Sequence, residues 1–211
     1  MRPESSQGGR KKRSFIEEAR RAQIIEAAIQ TIAEAGFANS SLARIAQRAG
    51  ISKGVISYHF SSKDELMEQV VIQVYTAIAE YVGPRIMAEP DARAGLRTHI
   101  RTVAEYMRGH REQLLALGAI FTGSLTPEGR SKYGAAGSEP IYQGIEALFR
   151  DGQREGLFRA FDPRMMAVNL QAAIDGMFGY WAAYPDHDLE RHAEELAEAM
   201  DRATRADPPQ A

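Results

Sequence analysis

From Ile24 the apolar positions recur at helical spacing: Ile24, Ile25, Ala28, Ile29, Ile32 and Ala33 fall on one stripe. Ser14 with Glu17 forms a candidate capping box ahead of that stripe, and Gly36 is a natural stop behind it. Further along, breaks are marked at Pro84, Pro90-Asp91, Thr126-Pro127, Glu139-Pro140, Asp162-Pro163 and Pro185-Asp186. The spaces between them predict helices over about 63–83, 92–108, 111–125, 140–156, 163–184 and 188–205. No segment keeps up the alternation of a half-buried strand, and Ala, Leu, Arg, Glu and Met dominate throughout. The pattern predicts an all-α chain of about nine or ten helices. Thr122–Gly137, rich in Gly, Ser and Thr, reads as a mobile loop. Residues 1–13 have too little apolar content to fold alone, and Asp207–Ala211 should fray.

Residues 41–66, SLARIAQRAGISKGVISYHFSSKDEL, carry a denser pattern. Ser41 can cap a short helix whose buried side is Leu42, Ile45, Ala46 and Ala49. Gly50 gives the backbone freedom for a tight turn, and Ile51 can plug the angle behind it. Ser52 then caps a second short helix with Val55, Ile56 and Phe60 available for packing, and Ser62 with Glu65 opens a long third one. Two short helices set at an angle by a glycine turn, supported by the helix at 17–35, constitute a helix-turn-helix. The span Ser52–Phe60 measures about 13 Å as a helix and suits a major groove about 12 Å wide. Ser52, Lys53 and Gly54 at its start offer a hydroxyl, a cation and backbone N–H groups to phosphates, and Ser57, Tyr58 and His59 add hydrogen-bonding groups.

Charge sharpens this reading. Residues 1–63 hold 11 Lys and Arg against 5 Asp and Glu, whereas the remainder holds 15 against 23. A basic end on an acidic body suits a protein that offers one end to a polyanion. The segment Arg10-Lys11-Lys12-Arg13 is either a flexible arm lying on DNA or a solubilising tail. The chain lacks cysteine, which excludes disulfides and thiolate metal sites. No run approaches the roughly 18 apolar residues of a membrane span, and no apolar core of a secretory signal is present, so cytoplasmic residence is expected. The histidines His59, His99, His110, His187 and His192 do not fall in a metal-binding spacing, and neither a nucleophile elbow nor a phosphate-binding glycine loop occurs. The expectation is a protein without metal, cofactor or enzymatic activity.

The series Gly36-Phe37, Ile45-Ala46, Ala49-Gly50-Ile51-Ser52-Lys53-Gly54, Tyr58-His59-Phe60 and Lys63-Asp64-Glu65-Leu66 resembles the N-terminal signature of the tetracycline-repressor (TetR) family over residues 20–66. The resemblance implies a dimeric repressor with one DNA-binding domain per subunit and a divergent helical domain that binds ligand and dimerises. Carried over by position, it implies phosphate contacts at Ser41, Lys53, Tyr58, His59 and Lys63, with base reading near Arg44, Val55 and Ser57. The family often has threonine where Val55 stands and commonly tyrosine where Ser57 stands. A valine offers methyl groups to thymine but no hydrogen bond, so the preferred DNA sequence is left open. Phe60 reads as a core aromatic, and the alternative reading of His59 is a solvated side chain.

Beyond residue 66 the sequence is read as a ligand-binding and dimerisation domain, 67–206, behind a DNA-binding domain, 14–66. Asp162–Pro185 has apolar residues on overlapping helical faces too broad for one stripe. Met166, Leu170 and Ile174, with Ile141, Ile145, Leu148 and Phe149 of the preceding helix, are the expected dimer contacts in an intersubunit four-helix bundle. TetR-like proteins usually dimerise through their last two long helices, and Asp162-Pro163-Arg164 and Ala172-Ala173-Ile174-Asp175-Gly176 resemble that region of the family. Tyr106, Met107, Phe121, Met177, Phe178 and Trp181 are the expected lining of an effector cavity, with Asp175 nearby as a partner for a cation. The expected partners are a palindromic double-stranded DNA operator, an unidentified small-molecule effector and a second copy of the chain, but no membrane. Two other readings stay open: an architectural or occluding DNA-binding protein without effector, and a helical small-molecule binder.

Overall fold

A computed structural model describes the backbone of residues 7–129, 132–133 and 138–206, and the side chains of those from Ile16 onward. Nine α-helices occur among them: α1 Gln7–Ala35, α2 Leu42–Arg48, α3 Lys53–His59, α4 Lys63–Met87, α5 Ala92–Gly109, α6 Arg111–Gly123, α7 Glu139–Arg154, α8 Pro163–Ala183 and α9 Leu189–Thr204. Residues 130–131 and 134–137 of the predicted loop Thr122–Gly137 and all of the predicted tail Asp207–Ala211 lie outside the described residues.

Local signals set most of the helix ends. Gly36 and Gly50 stop α1 and turn the chain after α2 with φ of 76° and 66°, a region that only glycine enters freely. Asp91, Asp162 and Asp188 cap α5, α8 and α9 by accepting N–H groups of the first turn. Three expectations are corrected. Ser14 lies inside α1 and not at its start, because Arg and Lys at 10–13 propagate a helix nucleated downstream. Pro84 does not end α4, which runs one turn further to Met87; a missing N–H this near the end sacrifices little. Ser52 takes the N-cap position of α3, but its side chain makes no capping bond.

The chain groups into two compact units. The first comprises the chain to Val74 together with Glu112–Lys132; the second comprises Tyr75–Arg111 and the chain from Tyr133. In the first unit Ile24, Ile29 and Ile32 of α1 meet Ile45, Ile56, Phe60 and Leu66, all essentially inaccessible to water. At roughly 1.5–3 kcal/mol for each large side chain, this small core is enough to hold two helices of about two turns each that would not persist alone. α6 joins this unit through a close contact: a Cβ on Gly123 would lie only 2.7 Å from the Phe37 ring. In the second unit α5 packs on α9 and α7 on α8. Leu96, Ile100, Ile145, Phe149, Leu170 and Ile174 fill the interior. Arg93, Arg101 and Arg108 of α5 pair with Asp201, Glu194 and Glu190 of α9 along one edge.

Candidate nucleic-acid interface

The helix-turn-helix is built by burying one side of α2 and α3 and leaving the other side polar. Ile45, Ala46 and Ile56 are buried, and Val55 is half-buried between the two environments. Ser41 accepts from the Arg44 N–H at 3.2 Å and so fixes the start of α2. On the outer side Ser41, Arg44, Ser52, Lys53, Gly54 and Ser57 are exposed, and Tyr58 is 75 % exposed with its ring edge-on to His59. A large aromatic left in water on a small domain costs solvation unless something covers it. Arg44, Gln47 and Arg48 line one shallow depression on α2. Of these, Gln47 and Arg48 are additions to the sequence reading, and Arg48 is paired with Glu34 of α1.

Two α1 residues that sequence reasoning passed over hold α2 and α3 in place. The Arg21 guanidinium donates to the His59 carbonyl and lies 4.3 Å above the Phe60 ring. Gln23 donates to the Ala49 carbonyl at 2.9 Å, satisfying a C-terminal carbonyl of α2. Phe60 is 1 % exposed and serves as the wedge under α3, as its sequence position suggested. Lys63 differs from a free phosphate contact. Its ammonium donates to the Phe37 carbonyl at 3.0 Å and sits 4.2 Å above the Phe37 ring. Partial burial lowers its pKa, with Asp64 opposing that shift.

The effector candidates divide between the two units. Phe121 belongs to the first, and Tyr106, Met107, Met177, Phe178 and Trp181 belong to the second. Tyr106 stacks on His110 at 3.9 Å and meets Tyr81 edge-on, while Arg111 lies 5.3 Å from the Trp181 ring. Tyr106, Met107, Met177 and Trp181 are buried and Phe178 half-buried. Asp175 touches solvent on one side, yet the protein around it desolvates the carboxyl and raises its pKa, against a bond from Gln171 at 2.8 Å. Tyr75 was not foreseen. Burial pushes its phenol up to about 12, a bond with Ser138 opposes this, and Asp175 and Tyr142 add repulsion. His99 was not singled out either; its Nε2 is buried without a hydrogen-bond partner, and burial lowers its pKa to about 4.

The dimer candidates require a correction of phase. Ile145, Phe149, Leu170 and Ile174 are at most 3 % exposed within the subunit, so they are its own core and cannot face a partner. Ile141, Leu148 and Met166 are half-buried at the edge of that core. The outward arc of α8 instead runs through Met165, Asn169, Ala172, Gly176, Gly179 and Tyr180, and that of α7 through Gln143, Gly144, Ala147 and Arg150. α8 is apolar nearly all round, so its hydrophobic pattern does not say which side turns inward.

Comparison with known proteins agrees with this geometry. The family profile of bacterial regulatory proteins, tetR family, matches residues 24–70, which holds the whole helix-turn-helix. The HTH-type transcriptional regulator BetI of Paraburkholderia phymatum is 40% identical over 164 residues, covering 77% of this chain and 81% of its own. The similarity to BetI 1 of Chromohalobacter salexigens is 37% over 86 residues and spans 41% of each chain, less than half of that relative. In fold, the chain is similar to the crystal structure of a TetR-family transcriptional regulator from Rhodococcus sp. The TM-score is 0.77 at 23% identity, over 87% of this chain and 98% of the other.

Proposed function

Because this chain belongs to the TetR family of bacterial transcriptional regulators, we propose that it is a dimeric repressor that leaves its operator when a small molecule binds the second unit. The observation that carries the DNA-binding half is the exposure of Ser52, Lys53, Gly54, Ser57 and Tyr58 on a helix held rigidly by Ile56, Phe60 and Arg21 beneath it. Lys53, with the hydroxyls of Ser41, Ser52 and Tyr58, takes phosphate oxygens and sets the register. Arg44, Val55 and Ser57 face the base edges, Val55 through its methyl groups. His59, half-buried beside Tyr58, contributes at the end of α3. Lys63 positions Phe37 and the start of α4 first, and reaches phosphate with its remaining N–H groups.

Dimerisation uses the outward arcs of α7 and α8. Small residues there let two helices approach closely, and two from each subunit make a four-helix bundle. The effector occupies the interior of the second unit among Tyr106, Met107, Met177, Phe178 and Trp181. Tyr75, half-buried, and Asp175, at the surface beside it, supply polar groups. α4 carries the response: its residues to Val74 belong to the first unit and those from Tyr75 to the second, in one continuous helix. Two α3 helices read DNA together only when their separation matches about 34–36 Å or a multiple of it. A ligand that favours another placement of α4 therefore weakens operator binding. No helix among the described residues is long and apolar enough to cross a membrane, and the regulator works in the cytoplasm beside its DNA.

Reciprocity tests the reading. Compounds that release the chain from operator should bind the operator-bound form more weakly by the same factor that they weaken DNA affinity. Trp181, the chain's single tryptophan, gives the optical signal for the ligand arm of that cycle. A releasing compound with equal affinity for free and DNA-bound protein contradicts the mechanism.

A further inference from the structure

The turn between α8 and α9 brings together two histidines that sequence spacing keeps apart. His187 precedes α9 and His192 lies in its first turns, so their spacing is not that of a helical His pair. The backbone nevertheless aims both rings at one point. The His187 N–H donates to the Tyr184 carbonyl at 2.9 Å, closing the end of α8, while the His192 N–H donates to the Asp188 carbonyl at 3.1 Å in the first turn of α9. As a result His187 Nε2 and His192 Nδ1 stand 2.9 Å apart, with the rings nearly perpendicular at 87°. Tyr180 lies edge-on to His187 at 4.8 Å and stacks at a tilt with Tyr184, walling one side, and both tyrosines are more than half exposed.

In isolation these nitrogens share one proton. Their separation also has a second meaning. Two imidazole nitrogens bound at about 2.0–2.1 Å to one ion lie about 2.9 Å apart when the angle at the metal is a right angle, and about 3.3 Å apart when it is tetrahedral. We propose that His187 and His192 form a binding site for a divalent transition-metal ion that accepts nitrogen ligands at right angles, Cu²⁺ or Ni²⁺ in preference to Zn²⁺. Among the described residues no third His, Cys, Asp or Glu gathers with the pair, so water completes the coordination. Imidazole without thiolate or carboxylate matches the same ions, and Cu²⁺ heads the order of divalent affinity. A bound ion ties the end of α8 to the start of α9 beside the exposed Tyr180 and Tyr184. This site stands apart from the effector reading and needs neither DNA nor effector to be tested.

The full-length chain titrated with Cu²⁺ at neutral pH should take up one tight equivalent, with an electron paramagnetic resonance spectrum showing two equatorial imidazole nitrogens. His187→Gln and His192→Gln keep a polar side chain in the turn; each should lower the affinity at least about tenfold, a loss of about 1.4 kcal/mol. His59→Gln should leave it unchanged. Ni²⁺ should raise the melting temperature of the wild type and of neither turn variant. Melting curves recorded without metal check that the variants fold, and the wild-type spectrum stands without them. A single-nitrogen spectrum, or Cu²⁺ affinity unaltered in either turn variant, overturns the proposal.

Discussion

At the scale of single residues, the interface depends on which polar groups are left free and which are already engaged. Lys53 and Tyr58 are free at the surface, whereas Lys63 is held by the Phe37 carbonyl. Lys53→Ala should therefore weaken binding to every DNA sequence alike and reduce the slope of log affinity against log salt by about one, measured by anisotropy across a salt series. An unaltered slope would remove Lys53 from the phosphate contacts. Arg21→Ala should also weaken binding while touching no phosphate, because it frees the end of α3; here the melting temperature should fall along with affinity. His99 makes a separate prediction from its pKa of about 4 against an ordinary 6.5. The folded chain keeps this ring neutral while the unfolded chain protonates it. The lowered value thus costs nothing above about pH 6.5 and destabilises the fold progressively as pH falls toward 4. Replacing His99 with Leu should flatten the stability–pH curve in that window, as followed by urea unfolding; a curve of the same shape would place the ring in contact with water.

At the scale of elements, the sequence is most informative where structure is local. Ser41, Gly50 and the Ile45–Ile56–Phe60 spacing define the helix-turn-helix because caps, turns and one-face burial all act within a few residues. Leu170 and Ile174, expected at a partner, lie in the subunit's own core; they and Ala172 and Gly176 on the other side of α8 are all apolar, so tertiary packing chooses which side is buried. The two faces are separable by experiment. Ile174→Ala should cost about 2–5 kcal/mol of stability as a core cavity. Gly176→Glu should leave the subunit folded and convert dimer to monomer in sedimentation. A dimer surviving Gly176→Glu would place the interface elsewhere. The α6 contact was equally invisible in the pattern, since nothing near Gly123 signals that Phe37, more than eighty positions earlier, lies against its Cα. Adding a methyl there forces Phe37 aside, so Gly123→Ala should destabilise the first unit by about 1–3 kcal/mol. Phe37→Leu in the same chain should recover part of the loss; destabilisation without any such coupling would contradict the contact.

At the scale of the whole molecule, a basic first third carrying the exposed side of α3 is joined by the continuous helix α4 to an acidic remainder that carries the half-buried Tyr75 and the exposed Asp175. The charge asymmetry was legible from composition alone, and it brings the correct end to DNA from a distance. The pair His187–His192 was not legible, because a residue in a turn and one in a helix have no fixed spacing. What the account needs most is that two copies of α3 read one duplex together. Selection of bound duplexes from a random library by the purified full-length chain measures this directly. The account predicts an inverted repeat whose half-sites lie about one helical turn of DNA apart or a multiple of it. Enrichment of a single unrepeated site, or no enrichment over the starting library at low salt, would contradict it.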